Sequence, residues 1–383
     1  MYLIAATVAA ALVVLITYWL HRRLVVAPGL RGRWAMAADT VLVLGALAGV
    51  GAFLTASGML DPAWARPLGF IGFTWWAVVF YLILGAGLIA LVSLLIRLVA
   101  RMTGRPRLAR PQRWLQIATA ALVVVTAILV GSGLVAAGRP QVSESAVVVP
   151  RLPQQFDGLR IAVVTDLHVG PARGAGYTRR VVDLVNGARP DVVILGGDLA
   201  DGTIAQISAD LAPLRRLRAP MGVYGVSGNH EYLVEDGESW LDFWERLGVR
   251  PLRNERVELH RDGATIDLAG VHDYTAPVTA GTDPAAALDG RDGDRALIYV
   301  AHQPRQADAV QGRGVGLQLS GHTHGGQLWP FGYAVALQQP VVSGFGEVGD
   351  VPVFVSRGAG SWGPPVRVGA APEIAVLTLQ APR

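Results

Sequence analysis

Four apolar stretches, residues 2–20, 40–60, 69–96 and 115–137, fill most of the first third of the chain, and each is free of Asp, Glu and Arg. About 20 residues of helix cover the hydrocarbon core of a bilayer, so each stretch is long enough to cross one. Any one of them fits a buried helix of a soluble domain, but four in succession predict membrane-spanning helices. Trp19, Trp34, Trp64 and Trp114 lie at or just beyond the ends of the stretches, where an indole keeps its ring in the headgroup region and its N–H wet. The first stretch lacks a basic leading region and is followed by His21, Arg22 and Arg23 rather than by small residues. It therefore reads as a retained span, not a cleaved signal peptide. No ionisable residue sits deep in any stretch, although a pump or transporter needs such residues near the midplane. These features predict an anchor.

Charge is divided unevenly between the two parts of the chain. All 33 basic residues are Arg. Residues 1–138 carry 11 of them against Asp39 and Asp61, whereas residues 139–383 carry 22 against 27 acids. The basic character thus belongs to the anchor, and the mildly acidic remainder would not attract a polyanion, so no nucleic-acid partner is expected. The loop between the first two stretches carries Arg22, Arg23, Arg31 and Arg33. The loop between the last two carries Arg97, Arg101, Arg105, Arg107, Arg110 and Arg113, while the middle loop, 61–68, has only Arg66. Arg-rich short loops stay in the cytoplasm, which predicts a multi-pass cell-membrane protein whose chain emerges outside the cytoplasm after the fourth span. The chain has no Cys, which excludes disulfides, thiolate ligands and a cysteine nucleophile.

Residues 138–153 (GRPQVSESAVVVPRLP) carry Pro and Ser punctuation and read as a linker merging into an edge strand. The organisation is therefore an anchor over 1–138, a linker over 139–154 and a second domain over 155–383. In that domain apolar runs at 159–165, 191–195, 222–226, 296–301 and 315–319 read as buried strands, some separated by helical patterns at 177–188 and 204–217. This rhythm predicts a layered α/β fold. After residue 330 the short Val-rich runs, 351–355 and 373–379 among them, suit antiparallel strands.

Each of the five buried runs is followed by a polar cluster: Asp166-Leu-His168, Gly197-Asp198-Leu-Ala-Asp201, Gly228-Asn229-His230-Glu231, His302, and Gly321-His322-Thr-His324. Strand ends are where α/β folds gather ligands. Five of the chain's eight His fall in these clusters. Asp, Asn and imidazole donors without thiolate suit Mn²⁺, Fe or Zn²⁺.

The order D-x-H, G-D-x-x-D, G-N-H-D/E, lone His, G-H-x-H resembles the calcineurin-like metallophosphoesterases. The GHTHGGQ run at 321–327, together with Arg357-Gly-Ala-Gly, Pro365 and Arg367, resembles the bacterial membrane-associated branch of that family. The resemblance implies a four-layer β-sandwich flanked by helices, behind an all-α four-helix transmembrane anchor. It implies two divalent metal ions, with Mn²⁺ the expected pair. Asp166, His168, Asp198 and His324 would hold one, and Asp198, Asn229, His302 and His322 the other, so that Asp198 bridges. His230 would be the catalytic residue, protonating the leaving group or stabilising charge. Asp201 and Glu231 would either orient ligands or waters or make ordinary loop hydrogen bonds, and Arg357 and Arg367 would either meet substrate phosphate or lie on the surface. His272 and Asp273 read as structural, and His21 and His260 receive no role. The implied activity is hydrolysis of phosphate monoesters or diesters by metal-activated hydroxide, and the anchor points to lipid-linked or envelope substrates. The alternatives are a non-catalytic metal- or phosphate-binding sensor or scaffold and a transporter carrying a hydrolase domain. All the ligand residues are present, which argues against the first, and the charge-free spans argue against the second. The charge bias of the loops makes a direct prediction: a C-terminal reporter that works only outside the cytoplasm will be active, and one active only inside would overturn the orientation.

Overall fold

The computed structural model describes residues 2–103, 111–277, 279 and 281–383; Arg105, Arg107 and Arg110 of the last Arg-rich loop lie outside them. Among the described residues four helices are long and apolar enough to cross a membrane: α1 (Tyr2–His21), α2 (Gly32–Ala56), α3 (Pro62–Met102) and α4 (Pro111–Ala137). Their ends differ from the apolar stretches for local reasons. Gly58, in the left-handed region at φ 75°, follows the end of α2 and closes it before residue 60. Asp61 accepts a bond from Ala63 N at 2.8 Å, and with Pro62 in the first turn this caps α3. Most of the expected 61–68 loop is therefore helix.

Contacts divide the chain into two units, Met1–Phe53 with Leu68–Ser132 and Leu54–Pro67 with Gly133–Arg383. The first is helical, with a small core of Leu20, Leu24, Leu42, Val79 and Leu82. Many of its other apolar side chains point outward, such as Val14, Leu47 and Ile117, as a hydrocarbon solvent permits.

The second unit is built on two six-stranded sheets. The strands are β1 (Gln141–Val148), β2 (Arg160–Val164), β3 (Val192–Leu195), β4 (Val223–Gly225), β5 (Arg250–Pro251), β6 (Glu255–Arg261), β7 (Ala264–Gly270), β8 (Leu297–Val300), β9 (Leu317–Ser320), β10 (Gly344–Val348), β11 (Val351–Val355) and β12 (Glu373–Gln380). One sheet has the order β1-β12-β2-β3-β4-β5 and the other β10-β11-β9-β8-β7-β6. The helices are α5 (Ala175–Ala188), α6 (Ile204–Leu211), α7 (Gly237–Arg246), α8 (Pro284–Leu288) and α9 (Gly332–Val335).

Side chains alternate across a strand, and here both faces are apolar. Ile161, Val163, Val192 and Ile194 of the first sheet meet Leu268, Ile298, Val300 and Leu319 of the second in one core. Ala162, Val164, Val193 and Leu195 face the other way, onto Val181, Val182 and Val185 of α5 and Trp240, Leu241 and Trp244 of α7. Leu297 and Tyr299 pack on Leu288 and on Ala307 and Val310. The chain thus adopts the four-layer α/β arrangement expected from the resemblance, helix on sheet on sheet on helix. The strands that end at the polar clusters, β2, β3 and β4 in one sheet and β8 and β9 in the other, run parallel to their neighbours within that set. Their C-terminal ends therefore open on the same side of each sheet.

The segment that reads as a linker merging into an edge strand holds β1, which pairs with β12 in parallel from Gln141 to Val148. The stretch 54–67 packs on the second unit, where Arg66 pairs with Asp210 (Nη2 to Oδ2, 2.5 Å) and donates to the Gly170 carbonyl at 3.2 Å. Ile194, fully buried between the sheets, tests the core. Ile194→Ala removes packing worth about 2–5 kcal/mol and should lower the thermal midpoint of the second unit by several degrees. An unchanged midpoint would show that the inter-sheet core does not carry its stability.

Candidate metal centre

Loops after β2, β3, β4, β8 and β9 bring the five clusters together. Three groups of donor atoms lie within reach of a common ion: Asp166, His168 and His324; His168, Asp198 and His230; and Asp198, His302 and His322. Asn229 joins the last group, its Oδ1 2.8 Å from His322 Nδ1. All seven residues assigned as ligands from the sequence are thus in one place.

The backbone is strained at this place and glycine clears it. Asp166, His168, Asp198, His322 and His324 all have positive φ, between 46° and 70°. For residues with a Cβ this costs on the order of 1–3 kcal/mol each and persists only where the surroundings enforce it. A Cβ on Gly228 would fall 2.2 Å from Asp198 Oδ1, and one on Gly321 would fall 2.4 Å from Asp166 Oδ2. The glycines of those clusters let one loop's backbone pass directly over another loop's carboxylate.

Hydrogen bonds fix which ring nitrogen faces inward. His168 Nδ1 lies 2.8 Å from Asp201 Oδ1 and His302 Nδ1 lies 2.7 Å from the Gly196 carbonyl. Both oxygens only accept, so each ring carries its proton on Nδ1 and turns Nε2 to the centre, the usual arrangement for a metal-ligating His. His168 Nε2 and His324 Nε2 then approach to 2.9 Å, close enough to share a proton or to face one ion. His302 Nε2 is buried without a hydrogen-bond partner and faces Asp198 Oδ2 at 3.2 Å. A lone pair and a carboxylate held together in a dry site require a positive charge there. Burial pulls the His302 imidazole down, yet the Asp198 carboxylate lifts it well above its ordinary range. The donor set therefore fits metal ions.

The remaining groups are tuned by the same neighbours. Burial works against ionisation of Asp198, but His302, His230 and His168 hold it well below the usual carboxylate range. His322 is pushed down to about 4 by burial and by His302. His324 falls well below its ordinary value through burial and the Arg367 guanidinium. Both are neutral at physiological pH, as ligands must be. His230 differs. Burial lowers it, but the Asp198 and Asp201 carboxylates, the latter 2.7 Å from Nδ1, raise it to about 10 in the metal-free chain. Cations beside Asp198 would cancel part of that lift.

Asp201 therefore holds two imidazoles, His168 and His230. Burial opposes its charge and the two rings keep it ionised, well below the ordinary range. Glu231 is fully buried and accepts four backbone N–H bonds, from Gly228 and Asp198 at Oε2 (2.7 and 2.9 Å) and from Leu199 and Ala200 at Oε1 (2.9 and 3.2 Å). Burial and the Asp198 carboxylate raise it to about 7, against the pull of the Gly228 and Asp198 N–H groups and of His302.

The two arginines are spent on the protein. Arg367 is buried and donates to the carbonyls of His324, Gly358 and Gly360, its Nη2 3.0 Å from His324 Nδ1. It backs a ligand ring and cannot reach a substrate phosphate. Arg357 is paired with Glu373 at 2.5 Å. His272 is buried against Tyr232, its Nδ1 3.1 Å from the phenol oxygen, and Asp273 accepts from Thr275 and Gln303. His260 is exposed on β6. His21 pairs with Asp39 at 2.7 Å. A cleft of about 370 Å³ opens over the centre, lined by Asp198, Asn229, His230, His322 and His324 and walled by residues that the sequence reading did not single out, Leu233, Phe331 and Trp362 among them.

Comparison with known proteins bears on the same residues. A bovine transmembrane protein with metallophosphoesterase domain is 39% identical over 70% of this chain and 64% of its own length. An uncharacterized metallophosphoesterase of Helicobacter pylori is 37% identical over 63% of this chain and 64% of its own. The chain therefore spans just under two thirds of the length of these relatives. One from Aquifex aeolicus is 31% identical, over 63% of this chain and 92% of its own length. The family model for calcineurin-like phosphoesterases matches residues 159–326, a span that begins just before Asp166, ends just after His324 and contains every donor described above. The chain belongs to the calcineurin-like phosphoesterase family.

Proposed function

We propose that this chain is a membrane-anchored phosphoesterase with a dinuclear metal centre, hydrolysing phosphate monoesters or diesters on lipid-linked or envelope molecules outside the cytoplasm. The observation that carries the reading is the pairing at Asp198: the Oδ2 that faces the bare His302 Nε2 at 3.2 Å also lies 3.8 Å from His168 Nε2. One carboxylate thus stands between two sets of donors, Asp166, His168 and His324 on one side and Asn229, His302 and His322 on the other. When bound, two divalent cations, with Mn²⁺ the proposed pair, supply Lewis acidity and make hydroxide available near neutral pH.

The protein's own part is positioning and proton transfer. Asp198 Oδ1 also accepts from His230 N at 2.8 Å, so the residue that joins the two donor sets holds the backbone of the catalytic histidine as well. Asp201 orients His168 and His230 together, so the ligand ring and the proton-transferring ring share one anchor. With Nδ1 of His230 bonded to Asp201, its Nε2 is the nitrogen free to serve the cleft that the ring lines. The four apolar helices motivate membrane anchorage and a substrate that resides there.

Two tests follow. Asp198→Ala should abolish activity and lower the bound metal, read by elemental analysis, from two ions per chain to at most one; two tightly held ions in the variant would sink the bridging assignment. His230→Ala should keep its metals and lose about 10²–10⁴-fold in kcat on alkyl phosphoesters. A nitrophenolate leaves as a stable anion and needs little proton help, so the loss with nitrophenyl esters should be much smaller where chemistry limits turnover. Equal losses on both would instead favour stabilisation of charge on the phosphoryl oxygens.

A further inference from the structure

The chemistry of the cleft changes abruptly a few ångströms from the metal donors. Its floor is Asp198, Asn229, His230, His322 and His324, whereas its wall is Leu233, Phe331, Ala334, Val335 and Trp362. Several of these apolar side chains stand in the open: Leu233 is 66% exposed and Trp362 51%. Trp329, Tyr333 and Leu337, close in sequence to the lining residues Phe331, Ala334 and Val335, are exposed as well, the last by 91%. Scattered exposed apolar residues are ordinary, but a contiguous group bordering a site marks a binding surface.

Three polar side chains along the same wall, Gln327, Gln339 and Thr323, are committed to the protein, whereas Gln338 is exposed. Gln327 donates from Nε2 to the carbonyls of Trp362 (2.8 Å) and Pro364 (3.1 Å), and its Oε1 accepts from Trp362 N at 2.9 Å. Gln339 donates to Gln303 Oε1 and accepts from Arg305 N. Thr323 donates to the Val342 carbonyl at 2.6 Å. No Arg lines the cleft among the described residues. A sugar would meet one exposed side-chain amide on this wall, that of Gln338, and a polyphosphate would meet no side-chain cation beyond the floor.

Gln327 explains how the wall is kept in place. It is buried and sits at φ 48°, ψ −57°, a strained conformation held by its bonds on both sides of the Trp362 peptide. The loop bearing Trp362 is thereby fixed to the loop bearing His324, three residues before Gln327. An exposed indole held in this way is pre-organised for contact rather than free to collapse onto the surface.

We propose that this wall binds a hydrocarbon chain attached to the scissile phosphate, with Leu233, Phe331, Val335 and Trp362 as specificity residues and Gln327 as the positioning residue for Trp362. The inference rests on the phosphoesterase reading and narrows its substrates to phosphate esters bearing an extended alkyl, acyl or isoprenoid group.

The test uses the full-length, Mn²⁺-loaded chain in lipid nanodiscs with two series of substrates, n-alkyl phosphates and nitrophenyl n-alkyl phosphates, from methyl to dodecyl and below their micelle-forming concentrations. The value of kcat/KM should rise roughly two- to fourfold per methylene until the wall is covered, mostly through KM. Trp362→Ala and Leu233→Ser, on separate loops, should each cut the ratio of long-chain to short-chain kcat/KM by about tenfold or more, with metal content preserved. Gln327→Ala should reduce the same ratio through KM, with kcat on the methyl ester falling less than KM rises on the dodecyl ester. Turnover of short and long esters at equal kcat/KM, or an unchanged ratio in both wall variants, would overturn the inference while leaving the phosphoesterase reading intact. Absence of turnover on every ester by the metal-loaded chain would overturn both.

Discussion

Glu231 ties together the two loops on which the rest of the centre depends. Its carboxylate takes backbone N–H groups from Gly228 on one loop and from Asp198, Leu199 and Ala200 on the other. A buried carboxylate without partners is expensive, whereas one receiving four N–H bonds is held firmly as an acceptor. Those bonds fix the backbone of Asp198, the proposed shared ligand, relative to Asn229 and His230. Asp in place of Glu231 would be one methylene shorter and would have to reach the same donors from a nearer backbone. The family pattern accepts either residue at this point, so the requirement is for a carboxylate at that spot, not for one chain length.

The same need for rigid placement accounts for the strain. Five candidate donors with positive φ would together be a substantial burden if they were isolated, but hydrogen bonds hold them. His322 N donates to both oxygens of Asp166 at 3.0 and 3.1 Å, His230 N to Asp198 at 2.8 Å, and Arg367 holds the carbonyl of His324 at 2.7 Å. The ligand carboxylates are thus also structural acceptors for neighbouring loops. Removing one disturbs the backbone of the next cluster as well as the ion, which is why loop strain and metal binding belong to one cooperative arrangement.

The cluster of candidate donors was legible from the sequence because ligand chemistry restricts residue type: a thiolate-free site draws on Asp, Glu, Asn and His, and such residues recur after apolar runs that read as buried strands. The strand runs at 191–195 and 351–355 fall within a residue of β3 and β11 for the same reason. What was less legible depends on partners distant in the chain. The pairing of β1 rests on β12, some 230 residues later. Arg367 looked like a surface phosphate ligand because nothing nearby in sequence shows that Gly358, Gly360 and His324 surround it. Trp362 carries no motif at all, and its place is visible only once Gln327 is seen to hold it. The β6–β7 hairpin did have a local signal, Asp262-Gly263 between alternating apolar runs, with both residues at positive φ, as a two-residue turn of the primed type requires.

The division of labour inside the cleft follows from where positive charge comes from. Phosphate-binding sites usually recruit Arg, yet here Arg367 is buried behind His324 and Arg357 is bound to Glu373. Metal ions coordinated by two carboxylates and by neutral side chains would retain net positive charge, enough to hold a phosphoryl group without help from the wall. The neutral state of His322, enforced by burial and by His302, leaves its Nε2 lone pair for coordination because Nδ1 donates to Asn229 Oδ1, while the neutral ring of His324 takes a guanidinium N–H at Nδ1. With cations in the floor supplying the charge, the wall would be free of that duty and could be apolar. A cleft that drew its charge from arginines on the wall could not also present Leu233, Phe331 and Trp362 to a substrate. Concentrating cations in the floor would be the physical condition for an apolar surface to begin so close to a phosphoester.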